Sequence, residues 1–140
     1  MPYLRTYDLF LSHAWNHNDD YYRLEEMLYS TPNFNWRNYS VPEHDPLINP
    51  NTSIGRGRLE SLLYNQVRPV NSLLILGGMY VAFSDWILKE IEIAQYYNKP
   101  IIGIYPWGQQ RMPVAIQNAA SILVGWNTDS IVSAVREYSI

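Results

Sequence analysis

Short apolar runs alternate with longer stretches of helical periodicity along the whole chain. "YDLFLS" (7–12) is apolar with a sharp end and predicts a strand. In "DDYYRLEEMLYS" (19–30), Tyr22, Leu24, Leu28 and Tyr29 recur at helical spacing. "NFNWRNYS" predicts a second short strand around Phe34 to Arg37, and "VPEHDPLINPNTS", rich in Pro, Asn and Asp, predicts a loop. "SIGRGRLESLLYNQV" reads as a helix beginning near Ser53, and "NSLLILGG" as a buried strand ending in two glycines. "FSDWILKEIEIAQ" (83–95) predicts an amphipathic helix capped by Ser84, with Trp86, Ile87, Ile91 and Ala94 at helical spacing. "KPIIGIYPWG" is a strand closed by Pro and Gly, and "AASILVGW" a fifth strand. "NTDSIVSAVREYSI" predicts a terminal helix with Asn127 or Thr128 as its cap.

Strands that alternate with helices and are apolar on both faces imply a parallel sheet covered on both sides. The expected fold is therefore α/β, a flavodoxin-like three-layer sandwich whose five-stranded parallel sheet has the order 2-1-3-4-5. One domain is expected over residues 1–140. Ligands of such sheets bind beyond the carboxyl ends of the strands. The peptides expected there are "SHAWNH", "NYSVPEHD", "GGMYVAFS" and "YPWGQQ". They make a polar and aromatic mouth with almost no positive charge, better suited to a ring-bearing ligand than to a bare phosphate.

Composition narrows the classes. With 47% hydrophobic and 16% charged residues the chain is globular, and a net charge of −3 gives no reason to expect nucleic acid. Arg56 and Arg58 form the one short basic cluster, read as a solvated face or an anion contact. The absence of cysteine removes disulfides, thiolate metal sites and thiol nucleophiles. Neither a signal-peptide pattern nor a membrane-length apolar run occurs, so a soluble cytoplasmic protein with no membrane partner is expected. Twelve tyrosines and five tryptophans exceed what one core requires. They fit a stacking pocket or a self-association surface equally.

Several chemistries lack their signatures. There is no G-x-x-x-x-G-K-[ST] and no G-x-G-x-x-G after the first strand, so neither a P-loop nor a conventional dinucleotide site nor an FMN phosphate loop is indicated. His13 and His17 stand four apart near Asp19 and Asp20, but zinc needs three or four converging ligands, and no metal is expected. Ser12 and His13 near Asp8 are not a triad by adjacency. "LILGG" lacks the Asp that a receiver domain carries at the end of strand three. The one oddity is Glu90, whose helical neighbours Trp86, Ile87, Ile93 and Ala94 are all apolar. Glu92, by contrast, has Lys89 three residues before it. Glu25 shows the same lack of a basic neighbour, facing Tyr21, Tyr22, Leu28 and Tyr29, so pattern alone does not single out Glu90.

"YDLFLSHAWNHNDDYYRLEEML" resembles the first conserved box of TIR domains. "SLLILGGMYVAFSDWILKEIEIA" resembles the TIR segment from the third strand into its helix, including a W-x-x-x-E pattern matched by Trp86 and Glu90. "FNWRNYSVPEHDPL" is similar to the stand-alone prokaryotic TIR-like group that includes the TIR component of Thoeris anti-phage systems. The likeness runs from about Tyr7 to the C-terminal helix. It implies cleavage of the nicotinamide–ribose bond of NAD⁺ and release of ADP-ribose, free, cyclised or conjugated, as a signal for a nucleotide-sensing effector. NAD⁺ is then the substrate, and no cofactor is expected.

The resemblance places the essential carboxylate at Glu90. It points to Ser12, His13, Trp15, Asn38, Ser84 and Trp86 as substrate-binding positions around the mouth. Self-association of TIR domains is also implied, with a neighbouring copy completing the site. The "SVPEHDP" segment departs from the usual animal TIR loop, and some TIR domains act by assembly alone. A scaffold without turnover is therefore the alternative.

Overall fold

The computed structural model describes residues 5–12, 19–40, 53–77, 80–105 and 112–140. Its elements follow one another as β1 (Thr6–Leu11), α1 (Asp19–Tyr29), β2 (Asn35–Asn38), α2 (Ser53–Val67), β3 (Ser72–Leu76), α3 (Tyr80–Tyr96), β4 (Ile101–Ile104), α4 (Val114–Ala119), β5 (Ile122–Val124) and α5 (Thr128–Tyr138). The strands form one sheet in the order β2-β1-β3-β4-β5, with every pairing parallel. This is the flavodoxin-like α/β arrangement that the hydrophobic pattern predicts. All residues of β3 and β4 are buried, because helices cover both faces of the central strands.

Contacts sort the helices into two layers, α1 with α5, and α2 and α4 each with α3. Side-chain alternation then assigns the strand residues to faces. Tyr7 stacks on Phe34, with ring centroids 5.5 Å apart, and Arg136 of α5 overlies Phe34. Tyr7, Leu9 and Leu11 therefore face the α1/α5 layer. Phe10 faces the opposite layer, and Ser12, whose N–H continues the ladder to Leu74 O at 2.9 Å, follows it toward α2 and α3.

Two details depart from the sequence-based expectation. Helix α3 begins at Tyr80, so Ser84 lies inside its second turn and is not its cap. Phe83, Ile87 and Ile91 share a period of four, and the apolar residues before Ser84 simply continue that helix upstream. Helix α4 was not predicted, because six residues are too few for a helical period to show. The choice of cap for α5 falls to Asn127, whose side chain accepts from Ser130 N at 3.1 Å. The loop expected at "VPEHDPLINPNTS" lies, up to Thr52, outside the described residues.

Helix α3 ends in a left-handed stop. Asn98 has φ 55°, and the N–H groups of Lys99 and Asn98 close onto Ala94 O and Gln95 O. That double closure satisfies the last carbonyls of α3 and turns the chain directly into β4. Gly103 in β4 admits α4 and β5 closely, since a Cβ there would lie 2.6 Å from Leu123 Cδ2 and 3.0 Å from Ile116 Cγ2.

Candidate functional site

Among the described residues three polar or charged side chains are buried: Ser12, Ser72 and Glu90. Ser72 lies at the start of β3 and its hydroxyl meets that of Ser139 at 2.9 Å, which accounts for it. Ser12 and Glu90 both lie in the layer between the sheet and α3. Glu90 is the eleventh residue of α3 and has 0% exposure, on a helix where Ile87, Ile91, Ile93 and Ala94 are buried as well. Helix α3 is about 25 Å long against about 17 Å for β3, so its N-terminal turns reach the carboxyl edge of the sheet. Glu90 stands about 15 Å along the axis from the start of α3 and about 9 Å from its far end. A carboxylate held there interacts with a neighbouring positive charge more strongly than it would in water, because the surroundings are less polarisable.

Ser12 follows β1 directly and is also 0% exposed. Its Oγ makes no hydrogen bond among the described residues, although such groups are usually paired when buried. A hydroxyl in that state can donate to or accept from a ligand.

Asn38 closes β2, and its amide is engaged within the protein. Its Nδ2 donates to Tyr21 Oη at 2.9 Å and to Glu25 Oε2 at 2.8 Å, and its Oδ1 accepts from Ser40 N at 2.9 Å. The two acids that sequence spacing could not separate thus differ sharply. Glu25 is half-buried and bonded to a side chain thirteen positions away, whereas Glu90 is sealed in the apolar layer. No helical spacing could have shown Asn38 as the partner of Glu25, because the contact crosses from α1 to β2. The phenol of Tyr21 is pushed above its usual 10.0, chiefly by burial, with the nearby Glu25 charge adding to this and hydrogen bonds to Ser40 and Asn38 opposing it.

The other expected positions divide. His13 and Trp15 lie outside the described residues. Ser84 and Trp86 fall on α3, the latter one turn before Glu90, but their side chains are outside the described set. Asp8 is taken by Arg37 of β2, whose Nε and second amine meet its two oxygens at 2.5 and 3.0 Å. It also stands four residues before Ser12, about 13 Å along the strand, so no Ser-His-Asp arrangement forms through it. Lys89 contacts Glu92 at 3.6 Å and Glu60 at 3.5 Å, as the spacing of the first pair implies.

Several of the described aromatic side chains pack against one another on or beside the helices. Tyr64, Tyr96 and Tyr97 form an edge-to-face group between α2 and α3, and Tyr29 packs on Trp36 with centroids 4.6 Å apart. A concavity of about 490 Å³ opens between α1 and the turn before α5, lined in part by Arg23, Met27, Trp126 and Asp129. None of the expected site residues lines it, and it is remote in sequence and layer from Glu90. Among the described residues no group of three or more His, Asp or Glu could hold a metal ion. No described helix is long and apolar enough to cross a membrane.

The family model described as "Thoeris protein ThsB, TIR-like domain" matches residues 10–111, more than half of the chain. The matched span runs from β1 to the residues just before α4 and includes Ser12, Asn38 and Glu90. Comparison with curated proteins finds no match.

Proposed function

Because the chain belongs to the family of the TIR-like domain of Thoeris protein ThsB, we propose that it cleaves the nicotinamide–ribose bond of NAD⁺ in anti-phage defence. Its product is an ADP-ribose-derived signal, cyclic or conjugated, that a partner effector senses. One observation supports this above the others: an acid with 0% exposure lies in the apolar layer between α3 and the sheet. Glutamate is seldom fully buried, and a chemical role accounts for its place here.

The chemistry follows from charge. As the bond breaks, its electron pair leaves with the nicotinamide nitrogen, which becomes neutral and needs no proton. Positive charge grows on the ribose, and the Glu90 carboxylate stabilises it and holds ribose hydroxyls. The Ser12 hydroxyl supplies a further contact to the sugar. Water, or another nucleophile with a proton to lose, then bonds to the anomeric carbon. Glu90 has no solvent exposure, so substrate reaches it when covering side chains move, which ties turnover to a conformational step. Assembly with further copies of the chain is the expected active form.

The rival is a scaffold without turnover, favoured by Leu88 and Tyr96, exposed by 42% and 70% on the outside of α3. Incubation with NAD⁺ over a rising protein concentration, followed by chromatography for nicotinamide, separates the two. Release by wild type and its loss in Glu90→Gln, with melting preserved, supports the enzyme. A wild type that stays inert when concentrated into assemblies sinks it.

A further inference from the structure

The side chains around the exit of β2 form one connected network. Tyr21 and Glu25 stand one turn apart on α1, and the Asn38 amide donates to both, at 2.9 and 2.8 Å. The Asn38 carbonyl oxygen holds Ser40 N at 2.9 Å, and Ser40 Oγ accepts the N–H of Leu11 at 3.2 Å. Between them Tyr39 N donates to Leu9 O at 2.9 Å, while Gln66 of α2 caps Tyr39 O at 2.9 Å. The chain is thereby held against β1 for two residues beyond the end of β2. The last link is the N–H of Leu11, the residue immediately before Ser12.

We infer that Glu25 is a positioning residue: through Asn38 and Ser40 it holds the exit of β1, and with it the buried Ser12 hydroxyl, in register with the mouth. This rests on the NAD⁺-cleavage proposal. An acceptor oxygen reaching Asn38 from α1 takes a bond from its NH₂ group, and this selects one orientation of the Asn38 amide. Turned over, Asn38 would present its NH₂ group to Ser40 N–H, two donors facing each other, and the link to Leu11 would be lost. Glu25 does this without touching substrate. Its length of reach matters more than its charge.

Glu25→Gln and Glu25→Asp separate those two properties. Glutamine keeps the reach and an acceptor but loses the charge, whereas aspartate keeps the charge and falls short of Asn38. Two readouts are taken on each purified variant: nicotinamide release, resolved into kcat and KM, and hydrogen exchange at the Leu11 and Ser40 amides. Glu25→Gln is expected within about twofold of wild type in both. Glu25→Asp is expected to lose about tenfold in kcat with KM changed less than twofold, since a displaced group acts mainly on the transition state. Its Leu11 and Ser40 amides should exchange about tenfold faster. A loosened Leu11 amide with unchanged kcat overturns the inference alone. So does a Gln variant as impaired as the Asp variant, which would assign the effect to charge. An inert wild type removes the cleavage proposal and this one with it.

Discussion

Replacing Glu90 by glutamine should leave the fold intact and the protein catalytically dead. The side chain has 0% exposure and lies on a helix face packed into the core. Glutamine has nearly the same size and keeps an acceptor oxygen, so it opens no cavity and retains hydrogen-bonding capacity while losing the charge. A stability change of no more than about 1 kcal/mol, the size of one ordinary hydrogen bond, is therefore expected. Unfolding a domain of 140 residues carries an entropy of about 0.3 kcal/mol/K, which converts this to about 3 °C in Tm. Thermal melting followed by circular dichroism reads the shift, and nicotinamide release reads activity on the same sample. A variant that melts about 10 °C or more below wild type would refute the reasoning, because the charge of Glu90 would then be holding the fold together. Retained turnover would separately remove it from the chemistry.

The remaining predictions concern the frame around that site. Asn98→Val should destabilise by about 1–2 kcal/mol in urea unfolding, since a β-branched residue resists the left-handed backbone that ends α3 at φ 55°; Asn98→Gly should not. Gly103→Ala should cost about 1–3 kcal/mol by the same measurement, because the new methyl meets Leu123 and Ile116 at 2.6 and 3.0 Å. The raised pKa of Tyr21 means that the neutral phenol is favoured in the folded state, so its contribution is intact below pH 10.0 and is lost as pH climbs through the folded value. Tyr21→Phe should accordingly flatten the alkaline limb of a stability-against-pH curve; a limb of unchanged slope would assign alkaline unfolding to other groups. The Glu25 variants complete the set, with reach and not charge as the property that turnover follows.

The number, order and type of nearly all elements were legible in the sequence because each depends on a local repeat. A strand buried on both faces is a continuous apolar run, as in "SLLIL", and parallel neighbours require the helices that the intervening periods supply. Local signals failed where an element was short or its boundary unmarked. Six residues after Pro113 could not announce α4, and Ser84 looked like a cap because serine is compatible with both a helix start and a helix interior. Asn127, a true cap, was readable because Gly125 follows the strand before it and the apolar period begins after it.

By itself the sequence determined that this chain builds a parallel α/β sheet, and that Glu90 and Glu25 are acids without basic helical neighbours. Tertiary structure decided that they are different kinds of acid. Glu25 reaches across to the amide of Asn38 and sits half-exposed, while Glu90 is enclosed between α3 and the sheet. The reason is physical: periodicity records which neighbours share a helix face, but burial and hydrogen bonding depend on what the fold brings against that face from distant positions.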